Sequence, residues 1–310
     1  MSSAAVPVVA AVDWGSTRVR VWLLDAKGEP LGERRSDEGM LSAAGIGFKN
    51  VLDRHLAELG APEDLPVIIC GMAGARQGWI EAPYVETPAL LDAVLGGAVS
   101  VPGNSRDVRI IPGLAQRVAD APDVMRGEET QLAGIAELRQ PGSHVVCMPG
   151  THSKWVSIKD GAVTGFGTWM TGELYSILTQ QSVLKHSVGG GATAVLVSSE
   201  AFANGVETGL TDRADLTSHL FGIRAGGLLL GLRPEDAAAR LSGLLIGAEI
   251  GAAERRYPAT GPVVLVGSGL MYNLYERAFE VAGIEARRAD AESAGRRGLF
   301  EAAKRCGMIG

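Results

Sequence analysis

The chain has 310 residues, 46% hydrophobic and 21% charged, the values of a folded globular protein long enough for two lobes or one large α/β domain. Its formal net charge of −6 comes from interspersed acidic and basic residues with no Lys/Arg block, which argues against a nucleic-acid partner. The apolar run before Asp13 and Trp14 has no basic region ahead of it and is too short for a membrane span, so neither a secretory signal nor a membrane partner is expected, and a cytoplasmic location follows.

Residues 8–13, 18–25 and 30–36 are predicted strands, with Lys27-Gly28 as the hairpin signal between the last two. Val19, Val21 and Leu23 alternate with Arg18, Arg20 and Trp22, the period-2 pattern of a half-buried strand. The spacing of Phe48, Val51, Leu52, His55, Leu56 and Leu59 predicts one apolar helical face, closed by Gly60 and Pro62. His55 is a boundary residue of that face with no assigned role. PVIICGMAG (66–74) predicts a buried strand entering a Gly-rich turn, and DVRIIPGL (107–114) a strand leading out to a loop. The alternation of strands and helices argues for an α/β fold. After the polar segment QRVADAPDVMRG a helix is expected from about Glu128, and the lobe boundary is placed near residues 115–127. That gives an N-terminal lobe of residues 1–118 and a C-terminal lobe of 119–310, with the last helix free to pack back on the first lobe. Cys70, Cys147 and Cys306 are too few and too scattered for a disulfide framework or a zinc site, and all three are expected to be small buried hydrophobes.

The chain also echoes itself. An apolar strand, Gly15-Ser16-Thr17 and a second strand recur as an apolar strand, Gly150-Thr151-His152-Ser153 and the strand KWVSIK, the two glycines lying 135 residues apart. A strand that ends in Gly and hydroxyl residues and turns back offers backbone N–H groups in a concave turn, suited to phosphate oxygens. One such turn is ordinary; two in matched hairpins suggest a polyphosphate clamped between related lobes. Asp13, at the end of a buried strand, fits Mg²⁺ bound directly or through water, or an Asx bond that caps its own turn.

With these hairpins the sequence resembles the superfamily of acetate and sugar kinases, heat-shock chaperones and actin. VDWGST and MPGTHSKW resemble its two phosphate hairpins, and VVLVGSGLMYNLYERAF (263–279) its adenosine turn. More narrowly, DWGSTRVRVW, GMAGARQGW, IIPGL, MRGEETQLAG, MPGTHSKWV, TGEL and LSGLLIGAE are similar, over almost the whole chain, to the 2-dehydro-3-deoxygalactonokinase family. The resemblance implies a two-lobed actin-like (ribonuclease H-like) duplicated fold with a cleft between the lobes. It further implies transfer of phosphate from ATP, with Mg²⁺, to the 6-hydroxyl of 2-dehydro-3-deoxy-D-galactonate. A kinase of another sugar or sugar acid and a non-catalytic nucleotide switch are the competing readings; a homo-oligomer is compatible with all three.

Carried onto this sequence, the resemblance assigns the acceptor-side carboxylate to Glu128 or Glu129 after Gly127, where related sugar kinases have an Asp, with Asp13 completing the catalytic set. Adjacent helical residues point about 100° apart, so one glutamate faces the site, and Glu128 matches by position. Gly15, Ser16, Thr17, Gly150, Thr151, His152 and Lys154 are the expected phosphate contacts, and Gly267, Ser268 and Gly269 the adenosine turn. For the sugar-acid carboxylate the planar fork of Arg76 is the first choice and Arg126 the second, with Gly74 and Trp79 beside them.

Overall fold

In the computed structural model, which describes residues 5–189 and 197–310, the first apolar run becomes β1 (Val9–Trp14), its first four residues fully buried. It pairs antiparallel with β2 (Val19–Leu24), and β2 pairs antiparallel with β3 (Pro30–Ser36). Two helices follow, α1 (Met40–Ile46) and α2 (Phe48–Glu58); α2 turns Phe48, Val51, Leu52, His55 and Leu56 onto the core at the predicted spacing. β4 (Val67–Gly71), buried throughout, lies parallel to β1. Then come β5 (Val85–Glu86), β6 (Ala89–Leu90), α3 (Leu91–Gly96), β7 (Val99–Ser100) and β8 (Val108–Ile110). The sheet order is β3-β2-β1-β4-β8-β7.

The segment read from sequence as a polar connection holds β10 (Asp123–Met125) and the end of β9 (Leu114–Gln116), which join β5 in a small second sheet. Three-residue strands are too short to show a period. α4 (Glu128–Gly134) begins at the predicted residue.

The chain divides into two units, one of residues up to 142 with 158–165 and 291–310, the other of 143–157 and 166–290. The second unit contains β11 (Ser143–Met148), most of β12 (Ser153–Lys159), the second half of β13 (Ala162–Trp169), α5 (Thr171–Gln181), α6 (Glu200–Thr211), α7 (Leu216–Leu229), α8 (Pro234–Arg256), β14 (Val263–Gly267), α9 (Gly269–Ala282) and β15 (Ala286–Asp290). α10 (Ala291–Arg305) belongs to the first unit.

The order β13-β12-β11-β14-β15 repeats β3-β2-β1-β4-β8, third-second-first-fourth-fifth in each case. In both, the first strand runs parallel to the fourth and the fourth to the fifth. The echo seen in the sequence is thus a duplication of a five-strand order, the sixth strand differing: β7 flanks β8 in one sheet and β6 flanks β13 in the other. Each sheet carries its own core: Val12, Trp14, Val51 and Ile69 belong to the first, and Trp155, Leu265, Tyr275 and Phe279 to the second.

Cys70 and Cys147 are buried as expected, but Cys306 is only half-buried, its thiol turned to the Leu95 carbonyl at 3.5 Å. It sits past the end of α10, where the core gives out. Among the described residues no helix is long and apolar enough to cross a membrane.

Candidate active site

In the first unit, the β1–β2 hairpin is closed by the Gly15 N–H donating to the Arg18 carbonyl at 2.8 Å. The carbonyls of Gly15 and Ser16 accept from the N–H groups of Met40 and Leu41, and that of Thr17 from Gly39. The N–H groups of Ser16 and Thr17 meet no protein acceptor among the described residues, and both residues are exposed. The start of α1 therefore takes up the hairpin's carbonyls and leaves donors facing out, the polarity an anion needs. This requires Gly39: a Cβ there would stand 2.4–2.5 Å from the backbone of Ser16, Thr17 and Arg18.

The second hairpin is built in the same way. The Glu173 N–H, in the first turn of α5, donates to the Thr151 carbonyl at 3.0 Å, and a Cβ on Gly172 would stand 2.6 Å from the Gly150 carbonyl oxygen. Gly39 is not among the residues expected from the sequence, and Gly172 enters there only within the motif TGEL. The signal was present: Glu38-Gly39-Met40-Leu41 and Thr171-Gly172-Glu173-Leu174 each follow the third strand of their unit with Gly-x-Leu.

Three segments converge at the carboxyl ends of β1 and β4. Trp14 pairs with Gly71, whose Cβ position lies 2.6 Å from the Trp14 carbonyl oxygen, and Gly127 packs on Gly71, its Cβ position 3.5 Å from the Gly71 Cα. This packing sets the start of α4 close to Asp13. Asp13 is half-buried and, among the described residues, accepts only a weak contact from the Cys70 thiol at 3.9 Å. Burial pushes its carboxyl above the usual range; Arg20 opposes that and the Glu128 charge adds to it.

The adjacent glutamates point apart as helix geometry demands. Glu129 has no exposed surface: its carboxylate accepts from the Gly127 N–H at 2.7 Å and the Thr130 hydroxyl at 3.0 Å. Burial, then the Glu128 charge, pushes it up to about 8. Glu128 is half-buried, with one carboxylate oxygen accepting from the Arg126 N–H at 3.0 Å. Of the two, only Glu128 has exposed surface.

The four residues expected around the sugar acid are not equivalent. Arg76 is exposed and its guanidinium meets no partner among the described residues. Arg126 is turned inward: it donates to the Ala82 carbonyl at 2.8 Å, lies 4.4 Å from the Tyr84 ring centroid, and its Nε and one terminal nitrogen are buried without a hydrogen-bond partner among the described residues. Buried Gly74 lies beneath it, a Cβ there meeting that nitrogen at 2.8 Å. Trp79 stacks on Phe48 and meets Trp14 edge-on. Arg126, Gly74 and Trp79 thus pack within the first unit, Arg126 with two guanidinium nitrogens unpaired among the described residues, whereas Arg76 is exposed. Nothing in the local sequence separates the two arginines, and burial, which does, depends on residues remote in the chain.

In the second unit Thr151 and His152 are exposed, with the His152 ring on Glu173, while Ser153 and Lys154 are buried within β12. β14 runs out at Gly267; Ser268 and Gly269 are exposed at the head of the 14-residue α9, and Gly269 has φ +64°. Backbone is open to a ligand there.

Two units of one strand order, each with a Gly-hydroxyl hairpin, define the class: the actin-like fold of ATP-using kinases and ATPases. The solved structure of the activator of 2-hydroxyisocaproyl-CoA dehydratase from Clostridium difficile shares this fold, with a TM-score of 0.52 and 14% identity over 96% of this chain and 95% of that one. The chain belongs to the 2-keto-3-deoxy-galactonokinase family, whose model matches residues 13–302. It is 51% identical to the Rhizobium meliloti (strain 1021) protein named "Probable 2-dehydro-3-deoxygalactonokinase DgoK1", over 95% of this chain and 96% of the relative. It is 37% identical to the Escherichia coli (strain K12) 2-dehydro-3-deoxygalactonokinase, over 93% and 95% respectively. A crystal structure from Sinorhizobium meliloti under the same enzyme name superposes with a TM-score of 0.92 at 51% identity, covering 96% of this chain and 98% of that one.

Proposed function

We propose that this protein transfers the γ-phosphoryl group of ATP to the 6-hydroxyl of 2-dehydro-3-deoxy-D-galactonate, giving ADP and 2-dehydro-3-deoxy-6-phosphogalactonate. The supporting observation is the half-buried Glu128 carboxylate set near Asp13 at the ends of β1 and β4, in a chain 51% and 37% identical to proteins named for this activity. Phosphoryl transfer asks little covalent chemistry of the protein; it asks for held phosphates, neutralised charge and a placed hydroxyl. The outward N–H groups of Ser16 and Thr17 suit phosphate oxygens, as do Gly150, Thr151 and His152. Lys154 adds a cation on the strand behind them, and Gly267, Ser268 and Gly269 offer open backbone for adenosine. Glu128 accepts the hydroxyl proton as the new P–O bond forms and the bond to the ADP oxygen breaks. Arg76 pairs with the sugar-acid carboxylate, for which a free guanidinium fork is the fitting donor.

Mg²⁺ supplies neutralisation of the phosphate charge during transfer. Asp13 fits it, directly or through water: its carboxylate has no strong donor among the described residues, and a second carboxylate, Glu128, lies near enough to raise its pKa. Among the described residues there is no cluster of three or more His, Cys, Asp or Glu able to cage a metal. Magnesium in kinases is commonly held by one or two carboxylates plus phosphate and water, so an incomplete protein site matches this ion. Asp13→Asn is expected to raise the Mg²⁺ concentration for half-maximal rate about 10–100-fold; an unaltered metal titration would remove Asp13 from this role.

The test of the reaction is ADP release by purified protein with Mg-ATP and a panel of acceptors. ADP should form in proportion to added 2-dehydro-3-deoxygalactonate, with gluconate and galactose left untouched. Equal ATP turnover without the sugar acid would identify a nucleotide switch instead.

A further inference from the structure

The motif LSGLLIGAE resembles a family motif, yet none of the roles above uses it. It lies in the 23-residue helix α8, whose Gly243 and Gly247 bring it within backbone contact of α6. The motif ends in Glu249, a carboxylate only 2% exposed in the core of the second unit. Burying such a group is costly unless donors meet it. Here three do. Oε1 accepts from the Trp155 indole N–H at 2.8 Å, and Oε2 accepts from the Tyr275 hydroxyl at 2.6 Å and from the Thr171 hydroxyl. The Tyr275 oxygen also lies 2.6 Å from the Ser153 hydroxyl. Burial raises the Glu249 carboxyl above its ordinary range, while the Thr171, Tyr275 and Trp155 donors oppose that rise.

The partners come from separate places in the chain. Ser153 and Trp155 lie at the start of β12, directly after the hairpin residues Gly150, Thr151 and His152. Thr171 is the first residue of α5, whose next two residues, Gly172 and Glu173, buttress that hairpin. Tyr275 belongs to α9, which opens with the Gly267-Ser268-Gly269 turn. One carboxylate therefore ties together the hairpin, its buttress and the helix behind the proposed adenosine turn. A plain apolar core would bury these elements equally well; it would not fix their mutual register, which directed bonds to a shared acceptor do.

We propose that Glu249 is the positioning residue of the nucleotide half-site, holding the 150–153 hairpin and α9 in the register that ATP requires; this rests on the kinase reading for the identity of the ligand. It touches no reacting atom and acts through Ser153, Thr171 and Tyr275. The experiment measures the dissociation constant of a non-hydrolysable ATP analogue by calorimetry, KM for each substrate and the melting temperature. The variants are Glu249→Leu, Glu249→Gln, Tyr275→Phe and Thr171→Val.

Glu249→Leu is expected to weaken analogue binding about tenfold or more, Glu249→Gln to recover most of that loss, and the two single-donor variants to weaken it about 3–10-fold each. KM for the sugar acid should stay within about twofold, since its proposed contacts lie in the first unit. If Glu249→Leu does not fold, Tyr275→Phe and Thr171→Val carry the test. Folded variants with unchanged analogue affinity, or with both KM values raised alike, overturn the proposal. Because analogue binding needs no acceptor, a wild-type protein that binds the analogue but phosphorylates nothing would defeat the kinase reading alone.

Discussion

Glu128→Gln is expected to lower kcat by about 10²–10⁴-fold while leaving KM for ATP nearly unchanged, the signature of a lost general base. The assignment follows from how the neighbouring carboxylates are used. Glu129 spends its oxygens on the Gly127 N–H and the Thr130 hydroxyl, has no exposed surface, and with a pKa of about 8 is mostly protonated at neutral pH. A group in that state neither reaches a hydroxyl nor takes its proton. Glu128 is half-buried and close enough to Asp13 for its charge to act on that carboxyl. Glu129→Gln, a neutral isostere of the protonated acid, is the matched control and should leave kcat within about threefold at pH 7. The control carries a pH signature as well. A carboxyl whose folded pKa is raised adds stability that is full below its unfolded pKa and lost as pH rises from about 4.5 through about 8. Glu129→Gln should flatten the dependence of melting temperature on pH across that window. An unchanged kcat in Glu128→Gln, or a collapse in Glu129→Gln, would move the base to Glu129.

The parts of this protein that could be read from its sequence are those carried by local pattern. The alternation in RVRVWLLD, the helical spacing from Phe48 and the paired Gly-hydroxyl turns depend on neighbours in the chain, and all appear as strands, helix and hairpins near the expected residues. Helix geometry also says that Glu128 and Glu129 diverge, but not which one faces out. That is set by Gly127 packing on Gly71, more than fifty residues away. Arg76 and Arg126 differ for the same reason: what buries Arg126 is Gly74, Ala82 and Tyr84, assembled by the small sheet whose two- and three-residue strands leave no periodic trace. Glu249 sits in a helix that is apolar on most sides, and nothing in its spacing announces that its oxygens meet Trp155 and Thr171. Polar residues whose partners lie far away in sequence are the ones a single sequence hides.

Gly298→Val is expected to destabilise the first unit by about 3 kcal/mol or more, the upper range for overpacking, and so to lower its melting temperature by about 6–12 °C. The cause is backbone against backbone. A Cβ on Gly298 of α10 would lie 1.9 Å from the Thr130 carbonyl oxygen, and one on Gly134 of α4 would lie 1.8 Å from the Ala294 carbonyl oxygen. Neither atom is the end of a flexible side chain, so the helices must separate. That movement matters to the proposed chemistry, because α4 carries Glu128 at its first position and α10 is tied to the first sheet through Glu292, which pairs with Arg20 and Arg35. Activity should therefore fall even below the new melting point. Gly295→Ala provides the contrast three residues away on the same helix: its Cβ would meet only the Gln131 Cγ, at an ordinary 3.6 Å. There the helical preference for Ala over Gly should dominate, leaving stability unchanged or raised by up to about 1 kcal/mol with kcat intact. Thermal unfolding and kcat measured on both variants decide the matter: equal losses at 295 and 298 would mean that the α4–α10 contact is not what positions Glu128.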